Sequence, residues 1–428
     1  MKYSKYFAFI VFLLASNTSL FSIANWTIMI YMQSNNNLSS FAAKNIKAMT
    51  AVGSNKNLNT LVQWRKSPTN DIWRYKVNKG KYVLEQKKES SSYSYKDDIV
   101  DFVKWSSEKY PAKHFALVLW NHGSGVIDPM WGNFVSGRLS HALYRHNPRT
   151  SIASQLIKST NPYRGIMFDE KNKMYITNEE LARILKQITE TVLKKKLDIF
   201  GMDACFMQMM GVLYPIKDYA KYCVSSEEAE LAQGWHYAPF LYYASQDNIT
   251  PLQLSKAIVS TFETLYKNKT YLYTQSVIEL EHLELLKSNI DVFSQKIQKC
   301  FLLDKTNIKY ALSRARKLCL QFTAPHYIDL HSFYTEFNLQ LKKSLPRITT
   351  KLRQSADYRE LKKCITDGIK IIEKIVISQT ASKRFERAKG ISIYYPHGPI
   401  HITYVTTDFA QNCKWIEFLK TVLGKKVV

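Results

Sequence analysis

Apolar residues occur in short continuous runs along the chain, and segments with a helical pattern lie between them. Such runs, bounded by polar turns, are typical of strands that are buried on both faces. The clearest predicted strands cover 26–33, 58–64, 114–120 and 197–202. The intervening predicted helices cover 38–49, 97–108 and 178–194. Alternation of this kind predicts an α/β fold, with a mainly parallel sheet flanked by helices.

The second half of the chain is richer in helical patterns. A fifth strand is predicted near 222–225, and further strands are possible at 275–280 and 390–395. The chain has 428 residues, which exceeds the length at which a single core usually stops growing. We therefore expect one domain over 25–245 and a helix-rich C-terminal region over 246–428 that packs on it and completes the fold.

The first residues have the pattern of an export signal. Lys2 and Lys5 precede an apolar run over 6–15, and small residues at 22–24 suit a signal peptidase. This predicts a signal peptide over 1–24 and a secreted or periplasmic protein. The run is shorter than the roughly 20 residues of a spanning helix. An uncleaved anchor is the alternative.

The charge is strongly basic. The formal net charge is +25, and no acidic residue precedes Asp71. This favours a solvated, lysine-rich surface with attraction for anionic membranes or envelope polymers. No compact basic cluster with interleaved aromatic residues is present, so we expect no nucleic-acid partner.

The six cysteines are far apart in the sequence. They are Cys205, Cys223, Cys300, Cys319, Cys364 and Cys413. Their spacing supports neither a zinc site nor a redox motif, and disulfides remain possible in an exported chain. We expect no metal ligands, because the sequence also lacks a calcium-binding Asp-x-Asp-x-Asp-Gly loop.

Two residues whose side chains are suited to catalysis directly follow predicted strands. His122 follows the third strand and Cys205 the fourth, so both are expected at the carboxyl edge of the sheet. There they would form a nucleophile and a general acid/base, with the N–H groups of Gly123 and Cys205 binding an oxyanion. A helix predicted to start near Phe206 would favour a thiolate. The alternatives are an inert packed cysteine and a histidine that caps a turn.

Several stretches resemble the clostripain family of cysteine peptidases. They are LVLWNHGSG, GMDACFM and YCVSSEEAELAQGWHY, with weaker similarity in WTIMIYMQSNNNL and GISIYYP. The resemblance implies a caspase-like fold, with the histidine after the third strand and the cysteine after the fourth. It also implies endopeptidase activity after Arg or Lys, on protein or peptide substrates. Calcium supports the activity of some relatives, and the resemblance implies no organic cofactor.

The resemblance also assigns a role to Asp203. In relatives, the aspartate two positions before the cysteine lines the primary specificity pocket, where a carboxylate would pair with a basic side chain. The alternative is a turn or helix-capping residue. Gln233 and Gly211 stand where relatives often carry acidic residues. The first of these departures leaves the choice between Arg and Lys open.

Many relatives are activated by cleavage between the histidine and cysteine motifs. Here 126–163 is much longer than an ordinary connection, and such loops are often functional. Candidate self-cleavage residues in it are Arg138, Arg145, Arg149 and Lys158. A partly helical surface insertion is the alternative.

Two other functions are compatible with these observations. One is a basic surface-binding protein that keeps the fold and lacks the reaction. The other is a peptidase of different specificity, or a transpeptidase that uses the same thioester.

Overall fold

A computed structural model describes most of the chain. The described residues are 23–66, 71–88, 94–127, 165–172, 174–270, 272–424 and 427. The candidate self-cleavage residues Arg138, Arg145, Arg149 and Lys158 therefore lie outside the described residues, and so does most of the predicted signal peptide.

A large mixed sheet of nine strands organises the described part of the chain. In spatial order the strands are β12, β10, β9, β8, β5, β1, β2, β3 and β4. Their bounds are β1 Ala24–Gln33, β2 Leu58–Arg65, β3 Ile72–Asn78, β4 Lys81–Lys88, β5 Ala112–Trp120, β8 Leu197–Asp203, β9 Ala220–Ser225, β10 Thr274–Glu279 and β12 Val376–Ala381. Two small sheets pair β6 (Ile166–Asp169) with β7 (Met174–Ile176), and β11 (Tyr327–Asp329) with β13 (Ser392–Tyr394).

Helices flank this sheet. In the described residues they are α1 Ser39–Met49, α2 Tyr95–Lys109, α3 Asn178–Gln187, α4 Met210–Leu213, α5 Tyr237–Ala244, α6 Pro251–Tyr266, α7 Leu283–Leu318, α8 Leu330–Ser344, α9 Thr350–Gln354, α10 Ala356–Ile375, α11 Ile402–Val405, α12 Asp408–Asn412 and α13 Trp415–Leu423. A π-helical turn, Ile188–Val192, continues α3. No helix among the described residues has the length and apolarity needed to cross a membrane.

The five central strands are parallel. β2, β1, β5, β8 and β9 pair in the same direction, whereas β3, β4, β10 and β12 pair antiparallel to their neighbours. All ten residues of β1 are buried, as expected for a strand covered on both faces. The predicted mainly parallel sheet is thus confirmed, and the carboxyl ends of its central strands meet at one edge.

The C-terminal region contributes directly to this sheet. β10 and β12 extend it beyond β9, and α7, α8 and α10 pack against one another beside it. The predicted strand near 390–395 forms as β13, which pairs with β11. The expected division near residue 245 stays a prediction. All six cysteines are buried and free of disulfides.

Candidate active site

Adjacent strands bring His122 and Cys205 to the same edge of the sheet. Trp120 at the end of β5 is paired with Asp203 at the end of β8. The N–H of Asn121 donates to the carbonyl oxygen of Asp203 over 3.2 Å. The two candidate catalytic residues therefore leave neighbouring strands at the same level.

Gly123 makes the close approach of these two loops possible. A Cβ placed on Gly123 would lie 2.5 Å from the carbonyl oxygen of Cys205 and 2.8 Å from Cγ of Met207. Real Cβ atoms do not approach a backbone oxygen so closely. Glycine is required here because the loop after β5 lies directly against the loop after β8.

His122 is buried, and the environments of its two ring nitrogens differ. Nε2 lies 2.9 Å from Oδ1 of Asn37, while Nδ1 has no hydrogen-bond partner among the described residues. Because the amide oxygen can only accept, Nε2 carries the proton and Nδ1 keeps its lone pair. Burial lowers the pKa of His122 to about 4, so the imidazole is neutral at ordinary pH. A neutral ring with a free lone pair is suited to accept a proton.

Cys205 is equally buried, and its sulfur contacts the backbone of Glu230. The N–H of Glu230 donates to Sγ over 3.2 Å, and the thiol lies 3.7 Å from the carbonyl oxygen of the same residue. Burial raises the pKa of the thiol, although the bond from the Glu230 N–H opposes this. No hydrogen bond joins Cys205 to His122 within the described residues.

The helix predicted to begin near Phe206 does not form there, and this prediction is wrong. Phe206 has a φ of 62°, and its N–H donates to the carbonyl of Glu228. The N–H of Gln208 donates to the carbonyl of Ser226, and α4 begins only at Met210. Since the backbone after Cys205 pairs with 226–230, no helix dipole acts on the thiol.

Asp203, two residues before Cys205, has a carboxylate that accepts hydrogen bonds. Its Oδ2 accepts a 3.0 Å bond from the N–H of Trp235 and a 2.7 Å bond from the hydroxyl of Tyr237. A Cβ on Gly234 would lie 2.5 Å from the same oxygen. Burial raises the pKa of Asp203. The side chain is thus directed towards the segment after β9 and caps no helix.

Two residues of the site were not singled out from the sequence. Asn37, in the turn before α1, contacts the imidazole, and Glu230, in the segment after β9, contacts Asp203 and Cys205. The polar run 34–37 and the three glutamates of 227–230 were visible as motifs. Nothing in their spacing showed which member points into the site. Gln233, one of the noted departures, is exposed, and Gly211 is packed against Val126.

The described residues hold no cluster of three or more His, Cys, Asp or Glu side chains suited to a metal ion.

Comparisons with known proteins identify the family. The sequence model of the clostripain family matches residues 30–131 and 154–423. The chain therefore belongs to the clostripain family of cysteine proteases. No curated protein sequence matches this chain at a significant level.

Solved structures with the same fold include cysteine proteases of this family. A secreted cysteine protease of Bacteroides thetaiotaomicron, iotapain, has a TM-score of 0.62 and 15% identity, covering 91% of this chain and 99% of that one. A secreted protease from the same organism, in complex with an irreversible peptide inhibitor, has a TM-score of 0.59 and 15% identity, with coverages of 93% and 99%. An inactive protease zymogen of Parabacteroides distasonis has a TM-score of 0.54 and 19% identity, with coverages of 94% and 99%. At these identities the likeness establishes the caspase-like fold alone.

Proposed function

We propose that this chain is a cysteine endopeptidase that cleaves after Arg or Lys, with Cys205 as nucleophile and His122 as general acid/base. The observation that carries the proposal is the meeting of these two residues with Asp203 at adjacent strand ends. Gly123 lies directly against the backbone of Cys205 there. Because the chain belongs to a cysteine protease family, we assign peptide-bond hydrolysis to this arrangement.

The chemistry follows from the protonation states of the two side chains. The thiol proton of Cys205 passes to Nδ1 of His122, and Sγ forms a bond to the carbonyl carbon of the substrate. The N–H groups of Gly123 and Cys205 stabilise the resulting oxyanion. Return of the proton from His122 to the leaving amine breaks the C–N bond. A water molecule, deprotonated by His122, then hydrolyses the thioester.

Substrate entry requires a rearrangement of the segment after β9. His122 and Cys205 are each 1% exposed, and the backbone of Glu230 occupies the hydrogen-bonding positions of the thiol. Residues 123–127 run directly from this edge into the long loop that contains Arg138, Arg145, Arg149 and Lys158. We propose that self-cleavage in this loop allows the site to open.

Asp203 is proposed to select the basic side chain. A buried carboxylate that has no cationic partner among the described residues favours a substrate that supplies one. One oxygen of Asp203 is held by Trp235 and Tyr237, which fixes the orientation of the carboxylate. Arginine and lysine are both compatible with this geometry.

Export and attraction to anionic envelope surfaces are also proposed. Three lysines, Lys44, Lys47 and Lys79, line a shallow depression by the end of α1 and the turn between β3 and β4. This depression lies at the opposite edge of the sheet from Cys205. A membrane or polymer bound there would leave the candidate active site accessible.

The test is cleavage of matched fluorogenic peptides that end in Arg, Lys, Asp or Leu, with and without calcium. We expect hydrolysis of the Arg or Lys peptide by the wild-type chain and none by Cys205→Ala. Cys300→Ala, which alters a buried cysteine of α7, is the control and should stay active. The mass of the wild-type chain should fall as the loop is cut, whereas Cys205→Ala should remain intact.

Other outcomes would support the alternatives. Cleavage of only the Asp or Leu peptide would retain the peptidase and reject the basic pocket. Transfer of the acyl group to an added amine would indicate a transpeptidase. Absence of cleavage even after limited trypsin treatment of the loop would favour the surface-binding protein.

A further inference from the structure

Two buried carboxyl groups lie in contact beside Cys205. Asp203 is 4% exposed and Glu230 is 5% exposed, and their carboxyl groups interact with each other. Two buried carboxylates at one site repel each other, which favours a proton on one of them. Burial disfavours the loss of this proton and raises the pKa of both groups.

Neither side-chain oxygen of Glu230 has a hydrogen-bond partner of normal geometry in the described part of the chain. The indole N–H of Trp235 and the amide of Gln275 also face this carboxyl group, and they too lack a partner of normal geometry. Buried polar groups are rarely left without partners, and such a cluster needs a specific explanation.

The two neighbouring glutamates of the same segment, Glu227 and Glu228, accept hydrogen bonds from backbone N–H groups. Glu228 accepts bonds from the N–H groups of Ala229 and Thr323, over 2.7 Å each. Glu227 also contacts a carboxyl group, that of Asp329, but one of its oxygens accepts from the N–H of Gly390 over 3.0 Å. Backbone donors therefore bind both of these glutamates, and Glu230 alone of the three is left for a ligand.

Among the described residues, the titratable groups that face the Asp203–Glu230 pair carry no positive charge. They are Tyr237, Tyr266 and Cys205. No Lys, Arg or His among the described residues forms an ion pair with either carboxyl group. The missing partner is thus a cation, and the residues that the structure describes do not supply it.

We propose that Glu230 is a second acid of the specificity pocket, and that it shares one proton with Asp203 until a cationic side chain binds and the proton leaves. This rests on the proposed function, which makes Asp203 the pocket acid. The released proton goes to solvent. The pair carries a charge of −1 when the pocket is empty, and two carboxylates with one bound cation again total −1. The net charge of the buried pocket is therefore unchanged.

A pH dependence of binding follows with a definite sign. Because binding of the cation is coupled to proton loss, its affinity should rise with pH, by up to about tenfold per pH unit for one proton. The rise in affinity should occur at pH values above the usual pKa range of a carboxyl group. In Glu230→Gln the amide can donate to Asp203, so no shared proton is needed and the dependence should disappear.

The first experiment measures binding without catalysis. N-acetylagmatine, which carries a guanidinium and no cleavable bond, is titrated into the active wild-type enzyme by calorimetry in two buffers of different ionisation enthalpy. We expect release of up to one proton per bound ligand. Binding without proton release would overturn the proposal. The experiment uses only the wild-type enzyme, so it does not depend on whether a variant folds.

The second experiment compares variants over about pH 5 to 9, spanning the usual carboxyl range and above it. The inhibition constant of N-acetylagmatine should fall with pH in the wild type and in the control Glu227→Gln, and should be nearly flat in Glu230→Gln. The pH dependence of the rate of alkylation by iodoacetamide measures the titration of Cys205 and His122 independently of ligand binding. Identical pH profiles in wild type and Glu230→Gln would refute the role of Glu230. If Arg and Lys peptides are not cleaved and N-acetylagmatine does not bind, the proposed function itself fails.

Discussion

At the scale of single residues, the candidate catalytic pair is in a neutral, resting arrangement. Burial favours the uncharged form of both groups, and the backbone of Glu230 lies at the thiol where a reacting carbonyl would have to approach. Opening the site to water would reverse both effects, since solvation favours the imidazolium and the thiolate. If the proposed function holds, exposure of the site would therefore also activate it.

Asn37 should act as a positioning residue for His122. Its amide oxygen accepts from Nε2 and leaves Nδ1 free to accept a proton. We expect Asn37→Ala to lower kcat by about 10 to 100-fold through loss of this tautomer, with a smaller change in KM. Steady-state kinetics over a range of pH checks this. Asn37→Ser, which keeps an acceptor oxygen, should recover part of the rate, and equal loss in both variants would contradict the role.

Gly123 should not tolerate a side chain. In Gly123→Ala the new Cβ would lie 2.5 Å from the backbone oxygen of Cys205, so one of the two loops must move. We expect a loss of about 1–3 kcal/mol in the free energy of unfolding, together with loss of peptidase activity. Urea denaturation and peptide hydrolysis measure the two effects. Gly398→Ala is the matched control, because a Cβ there meets nothing within 4 Å. Wild-type activity in Gly123→Ala would show that the loops are not held this closely.

At the scale of helices and strands, the sequence was most informative where burial is complete. The apolar runs before His122 and Cys205 correspond to β5 and β8, because strands covered on both faces need apolar residues at every position. Their ends placed both residues at one edge. The roles of these residues stay predictions.

The segment after Cys205 shows why local patterns were insufficient. Residues 206–213 are apolar except for Gln208 and contain one glycine, so they suit a helix in isolation. In the structure Phe206 and Gln208 pair with the backbone after β9, and Met209 pairs with Ser392. These partners lie 18 to 183 positions away, beyond the reach of any local rule. Glu230 and Asn37 were missed for the same reason.

A second buried carboxyl pair should make the packing of these elements sensitive to a rise in pH. Glu227, after β9, contacts Asp329, which caps α8 and also accepts from the N–H of Lys389 before β13. Burial raises the pKa of Glu227, so the native state holds a proton that the unfolded chain loses above its ordinary carboxyl pKa. The stabilisation is complete below that ordinary pKa and is lost as pH rises through the native value.

Glu227→Gln tests this directly. The amide can donate to Asp329 at any pH, so the stability of the variant should fall less than that of the wild type as pH rises above the ordinary carboxyl pKa. Thermal or urea unfolding at several pH values measures the difference, expected to reach about 1–2 kcal/mol. Glu386→Gln, an exposed glutamate, is the control and should follow the wild type. Parallel stability curves for wild type and Glu227→Gln would show that the pair does not hold a shared proton.

At the scale of the whole molecule, the candidate site depends on residues from both parts of the chain. The side chain of Gln208 donates to the carbonyl of Ser276 in β10, and Ser392 of β13 donates to the carbonyl of Gln208. Trp26 of β1 donates to the carbonyl of Ile249 over 2.8 Å. The loop that carries Cys205 is thus supported by residues that come 68 and 184 positions after Gln208.

A chain that ends at residue 245 should therefore not fold. It would lack β10 and β12, which leaves the edge of β9 and its hydrogen-bonding groups exposed, and it would lose the partners of Trp26, Gln208 and Glu227. We expect an insoluble product, or a soluble one without a cooperative thermal transition. Co-expression with a separate chain covering 246–428 should restore both solubility and the transition, because the missing contacts are noncovalent. The full-length chain is the control. Cooperative unfolding of the 1–245 chain alone would mean that the sheet is stable without its last two strands, and the support of Cys205 would then have to come from the N-terminal part alone.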